Sequence, residues 1–305
     1  MYFLTTADFG DHIAHMVAVD YMKRYVPNII QHCYVPDYFL DLAKNLVPGV
    51  IIKSFSQAKK PNTVNPHFQA VQMHCDQHNN LGNHLVDVAF DLFVGKDVEI
   101  EHKNYCKLNT TKIDISKFNL PEKYVVLTTG FTAEVREMLP KVANEIIDYC
   151  KSKNIPVVTL GSRVAKVGMP KAPDITGTFK SDIKYNECLD LVDKTTLLEA
   201  GKIIENSIAI IGLDNGLLHL AACTEVPIIA GFTTVLPEHR LPYRHDVKGW
   251  NCYTVEPDKD LGCRGCQSRM THVYGHNFTS CYYRDTICKT QLTSDKYIKH
   301  LEKLI

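Results

Sequence analysis

Apolar and polar positions fall into blocks along this chain, and the period of the blocks changes in a regular order. Tyr2-Phe3-Leu4 is a short apolar run. From Ile13 to Tyr25 apolar residues such as Met16, Val17, Val19 and Met22 recur at three- and four-residue spacing. That spacing predicts a helix with one buried face. Cys33-Tyr34-Val35 predicts a strand, Asp37 to Asn45 a helix, Val50-Ile51-Ile52 a strand, and His84 to Phe93 a helix ending at Gly95. Residues 104–121 are polar with Pro121 at their end, and read as a linker. Alternation then restarts. Strands are expected at 124–128, 156–161, 208–212 and 226–231. Helices are expected from Pro140 to about Lys151, from Thr196 to Asn206 and from Asn215 to Cys223, with Pro140 suited to a first helical turn. Alternating strands and helices predict an α/β class with mostly parallel sheets. Two such units, residues 1–119 and 120–293, would face each other across a cleft, and residues 294–305 form a terminal amphipathic helix.

Composition narrows the class. The 305 residues are 45% apolar and 22% charged, which excludes a disordered or collagen-like chain. Lysine plus arginine equals aspartate plus glutamate, 34 against 34, so a general nucleic-acid binder is not indicated, although a local basic groove is compatible. No apolar run is long enough to span a membrane, and the start, with Asp8 and Asp11 close to Met1, lacks the basic region of a secretory signal. Of eleven cysteines, seven are scattered in apolar or mixed contexts and read as reduced thiols of a cytoplasmic protein.

The chemistry concentrates in Ile211-Gly212-Leu213-Asp214-Asn215-Gly216-Leu217-Leu218-His219. An apolar strand ends, a polar turn follows and a helix begins. The first amides of a helix attract anions, Gly216 admits close approach, Asp214 or Asn215 suits a cap, and His219 lies one turn in. An ordinary capped helix has the same pattern. Cys263-x-x-Cys266 followed by Cys281 and Cys288 suits a structural zinc site or four reduced thiols in a loop-rich segment. His74, His78 and His84 surround Cys75 and Asp76 in a polar stretch compatible with an acceptor-binding loop or a metal cluster, although the spacing matches no common metal site. Arg240, Arg244, Lys248, Arg264 and Arg269, interleaved with Tyr243, Trp250 and Tyr253, read as a base pocket, an acceptor phosphate site or a solvated rim.

The run Asp214-Asn215-Gly216-Leu217-Leu218-His219-Leu220-Ala221-Ala222, the strand from Val226-Pro227 to Gly231-Phe232-Thr233-Thr234, and Pro242-Tyr243 resemble glycosyltransferase family 9. That family includes the bacterial lipopolysaccharide heptosyltransferases. The segment from Leu189-Asp190-Leu191 to Glu199 and the N-terminal Phe9-Gly10-Asp11 are similar to the family as well. The resemblance implies a GT-B fold, a nucleotide-sugar donor held mainly by the second unit, and a saccharide acceptor of lipopolysaccharide type. It assigns the donor to Thr128, Thr129, Arg136, Asp214, Asn215, Gly216, Leu217 and His219, and general-base catalysis to Asp11. Asp8, His12, His74 and Arg240 are the acceptor-side candidates. It also implies inversion without a catalytic cofactor, and a last helix that crosses back to the first unit. Asn215 stands for the family's usual hydroxyl residue, and Arg136 for its lysine. Two alternatives stay open: a transferase acting on a hydroxymethylated DNA base, and a non-catalytic nucleotide- or glycan-binding protein.

Overall fold

The computed structural model describes residues 2–3, 9–25, 32–57, 84–94, 102–128, 134–167, 177–180, 185–258, 261–266, 281 and 286–305. In its first part, β1 (Tyr2–Phe3), β2 (His32–Val35) and β3 (Ile51–Ser54) form a parallel sheet in the order β1-β2-β3. Helices α1 (Phe9–Tyr25), α2 (Leu40–Leu46) and α3 (Leu85–Phe93) accompany it. His84 caps α3: its Nδ1 accepts from the Val86 N–H at 3.1 Å.

Helix α1 differs from the expectation of one buried face. It starts four residues earlier, and Gly10, His12 to Val19 and Met22 are all buried. It is a central helix packed against α3 and α2, and against a helix of the second part described below. A helix enclosed in this way needs small and apolar residues around most of its circumference, which blurs a one-sided pattern.

The second part holds a six-stranded, all-parallel sheet. Its strands are β4 (Val125–Thr128), β5 (Val157–Leu160), β8 (Leu189–Asp190), β9 (Ile210–Leu213), β10 (Ile228–Gly231) and β13 (Cys252–Val255), in the order β13-β10-β9-β4-β5-β8. Hairpins β6 (Val164–Val167) with β7 (Gly177–Lys180), and β11 (Tyr243–Arg244) with β12 (Val247–Lys248), are antiparallel. The central strands read as continuous apolar runs because both sheet faces are covered. Val126, Val158, Ile210 and Ile228 point into a core shared with α1. Val125, Val157, Ile211 and Ile229 point into a second core with α4 (Pro140–Ser152) and α8 (Ser294–Leu301). Between them lie α5 (Leu197–Glu205), α6 (Gly216–Ala221) and α7 (Ile287–Thr290). Thr196 and Glu199 form a reciprocal capping box on α5.

Two further expectations change. Helix α8 packs against α4, β10 and β13, within the second part, where a crossing to the first was expected. Tyr297 and Leu301, fully buried in the second core, hold it there. The 104–121 stretch is docked rather than free: Tyr105, Cys106 and Leu108 are buried, and Tyr105 N–H and Leu108 N–H donate to the carbonyls of Tyr243 and Cys223 at 2.9 and 2.8 Å.

Candidate functional site

From β4 the chain moves outward through β5 and β8 on one side, then resumes at β9 on the other side of β4. Strand order therefore reverses between β4 and β9, and open parallel sheets bind ligands beyond the strand ends at such a point. The residues there are Thr128, Asp214 and Asn215. Asn215 Nδ2 donates to Thr128 Oγ1 at 3.0 Å, and its Oδ1 accepts from the N–H groups of Leu217 (2.9 Å) and Leu218 (3.3 Å). The cap of α6 is thus Asn215, and two of the amides expected to meet a phosphate are already engaged. Helix α6 spans six residues, shorter than the expected 215–223.

Asp214 is 5% exposed and lies in a dense charge cluster. Arg136 Nη2 donates to its Oδ2 at 2.9 Å, and Arg136 Nε and Nη2 donate to its backbone carbonyl at 3.2 and 2.9 Å. Arg240 Nε stands 4.0 Å from Oδ2, and His219 Nε2 stands 3.6 Å from Oδ1. Burial alone would raise the carboxyl's pKa, but Arg136, His219 and Arg240 outweigh it and hold it well below the usual carboxylate range. The arginine fork matters here, because it grips carboxylate and backbone together, which a lysine's single ammonium could not do.

The first part reaches the same place through the start of α1. A Cβ at Gly216 would lie 2.2 Å from Phe9 Cδ1, and one at Gly10 would lie 2.8 Å from His219 Cδ2. Both glycines are needed for that close approach. Asp11 sits in the first turn of α1, partly buried, and its charge together with that of Asp214 acts on Tyr105. The structure therefore gathers Asp11, Thr128, Arg136, Asp214, Asn215, Gly216, Leu217 and His219 in one region, and adds Arg240, which had been expected on the acceptor side.

Other expected residues are placed differently. His12 is fully buried, its ring 5.2 Å from that of Phe39 and 6.1 Å from that of His15, a core position. Asp8, His74 and Thr129 lie outside the described residues, as do Cys75, His78 and Arg269. Arg244 is no pocket or rim residue: it is buried and donates to the carbonyls of Thr224, Val226, Trp250 and Asn251. Tyr253 belongs to β13. Tyr105 was missed. Its signal is an apolar trio, Tyr105, Cys106 and Leu108, inside an otherwise polar stretch.

The four C-terminal thiols lie in one neighbourhood. Burial, with the charges of Cys266, Cys263 and Cys281, pushes the Cys288 thiol up to about 12. Four thiolates would make a complete tetrahedral donor set for zinc. Among the described residues, no group of three or more His, Cys, Asp or Glu is arranged to hold a metal ion. No helix among the described residues is long and apolar enough to cross a membrane.

Residues 69–267 match the sequence model of glycosyltransferase family 9 (heptosyltransferase), well over half of the chain. Lipooligosaccharide heptosyltransferase 2 of Haemophilus influenzae is 31% identical over 90 residues, 28% of this chain and 26% of that protein. The match thus spans about a quarter of that curated relative. Among solved structures, the iron-containing dodecameric glycosyltransferase TibC of enterotoxigenic E. coli superposes with a TM-score of 0.67 at 18% identity, over 99% of this chain and 74% of that one. TibC is also known in complex with ADP-D-beta-D-heptose. The E. coli ADP-heptose lps heptosyltransferase II superposes with a TM-score of 0.60 at 12% identity, over 100% of this chain and 98% of that one. These likenesses establish the GT-B fold. With that fold, the Asp214–His219 motif at the switch point and the family match across both parts, the chain belongs to glycosyltransferase family 9.

Proposed function

We propose that this protein transfers a sugar from a nucleotide-sugar donor to a hydroxyl of a saccharide acceptor, of the kind found in lipopolysaccharide, with inversion and with no metal in the chemical step. In this reading residues 1–119 present the acceptor and residues 120–293 hold the donor, in a cytoplasmic protein. The observation that carries it is the meeting of Asp11 on α1 with the Arg136–Asp214–His219 cluster at the switch point. One side offers a carboxylate and the other offers the guanidinium groups of Arg136 and Arg240 beside a strand end. The complex of TibC with ADP-D-beta-D-heptose supports a nucleotide diphospho-sugar as the donor class. The relatives lend a DNA acceptor no support, and that alternative is not carried further.

In the proposed step the carboxylate of Asp11 takes the proton of the acceptor hydroxyl as its oxygen bonds to the anomeric carbon. The bond from that carbon to the diphosphate oxygen breaks on the opposite face, and the electron pair leaves with the diphosphate. Arg136 and Arg240 then balance the developing charge, with the α6 start and Thr128 bounding its position. Asp11→Asn should lower kcat by about 100-fold or more while leaving the fold intact. The assay is transfer over a panel of nucleotide sugars with lipopolysaccharide-core saccharides. Turnover near that of the wild type in the folded variant would remove Asp11 from the mechanism. Donor binding without transfer or hydrolysis across the panel would favour the non-catalytic reading.

A further inference from the structure

The 102–111 stretch looks like a polar connection, yet Tyr105 within it is only 7% exposed. Its backbone is fixed by the hydrogen bond to Tyr243, and its ring is nearly parallel to the imidazole of His219, at 10° with centroids 6.0 Å apart. The Tyr105 hydroxyl lies 3.0 Å from His219 Nδ1. On the far edge of the imidazole, Nε2 faces Asp214 Oδ1 at 3.6 Å. Gly10 of α1 closes a third side, since even a methyl group there would come within 2.8 Å of Cδ2. Two segments distant in sequence, with the nearby Asp214, therefore clamp one ring.

We propose that Tyr105 is a positioning residue: its hydroxyl donates to Nδ1 of His219 and keeps the imidazole proton on Nε2, facing Asp214. The inference deepens the reading above and rests on it only for the consequence in turnover. For a neutral imidazole the proton inventory leads to one arrangement. Asp214, held ionised by its arginines, only accepts. Tyr105 stays a phenol: burial first, then the charges of Cys223, Asp214 and Asp11, push its pKa well above 10.0, against the opposing effect of Arg240. With the proton on Nδ1 instead, a bare Nε2 lone pair would face the carboxylate, and the phenol proton would have to turn away from its nearest acceptor. A ring nitrogen's state is set by the partner of the other nitrogen, and here that partner is Tyr105. A donor diphosphate entering the switch point then meets an imidazole of fixed tautomer, with Asp214 and Arg136 lined up behind it.

The test uses the full chain labelled with ¹⁵N-histidine, with long-range ¹H–¹⁵N correlation reading each ring's tautomer and His219→Gln assigning the His219 signals. The wild type should show His219 with its proton on Nε2. Tyr105→Phe, which keeps the ring and its packing, should convert that signal to a mixture of tautomers. It should also lower kcat about tenfold while ADP affinity, read by calorimetry, changes less than about threefold. A wild-type His219 protonated on Nδ1 overturns the proposal, and so does an unchanged tautomer in a folded Tyr105→Phe protein. The wild-type spectrum decides even if that variant does not fold. If the transferase reading itself failed, no donor would be turned over, yet the tautomer result would stand on its own.

Discussion

A guanidinium with almost no water around it must find its partners in the chain, and Arg244 finds them in the backbone. Its Nη1 donates to the carbonyls of Thr224 and Val226 at 3.0 and 2.9 Å, its Nη2 to those of Trp250 and Asn251 at 2.8 and 3.2 Å, and it lies 5.3 Å from the centre of the Trp250 ring. One side chain thus ties the turn after α6 to the turn before β13. Arg244→Lys keeps the charge but loses the fork, and should destabilise the protein by about 3 kcal/mol in urea unfolding. An effect under about 1 kcal/mol would show that the carbonyls find other donors. Residue type alone made Arg244 look like one more basic group near a cleft, because burial depends on contacts made across the fold. Asp214 and His219 were legible for the opposite reason: they stand in one contiguous strand–turn–helix motif. Tyr105 lies 114 positions from His219, and nothing local announces that pair.

At the level of elements, the strands with both faces covered were plain, since β4, β5, β9 and β10 are fully buried and almost wholly apolar, with Thr128 and Thr159 as their polar members. Strand β13 was not, because Cys252-Tyr253-Thr254-Val255 lies at the sheet edge with only Val255 fully buried. The β11–β12 hairpin was also hidden. Its turn puts His245 and Asp246 at φ 53° and 58°, where Asn-Gly would have been the recognisable signal. Helix α1 shows the cost of treating each element alone, for its second apolar side exists to meet α6. That seam relies on a residue without a side chain. Gly216→Ala would drive a methyl into the Phe9 ring and should cost about 1–3 kcal/mol, measured as a lower urea midpoint with an unchanged slope. A neutral result would mean that Phe9 turns aside freely.

Across the whole molecule, the two sheets share one apolar core through α1, and polar contacts stitch the same junction. Asn104 and Asp246 exchange hydrogen bonds at 2.6 and 2.8 Å, joining the docked stretch to the β11–β12 hairpin. His84 at the start of α3 reaches further: its Nε2–H donates to the Leu241 carbonyl at 2.8 Å while its Nδ1 caps the helix. Burial chiefly, helped by Arg240 and Lys248 and opposed by the Leu241 carbonyl and Asp87, lowers its pKa from 6.5 to about 4. The unfolded chain therefore takes up this proton at higher pH than the folded one. The stabilising contribution is complete above pH 6.5 and is lost as pH falls toward 4, by up to about 3 kcal/mol. Unfolding midpoints followed over that range should fall more steeply for the wild type than for His84→Asn. Parallel curves would dismiss His84 as a source of acid sensitivity.

Phe9, an aromatic ring from one half, lies directly on Gly216 of the other, over the backbone where the proposed donor would rest. A guest cannot settle there while the ring stays in place. In the proposed reading, admission of the donor and displacement of that ring are then one event, drawn from the same affinity.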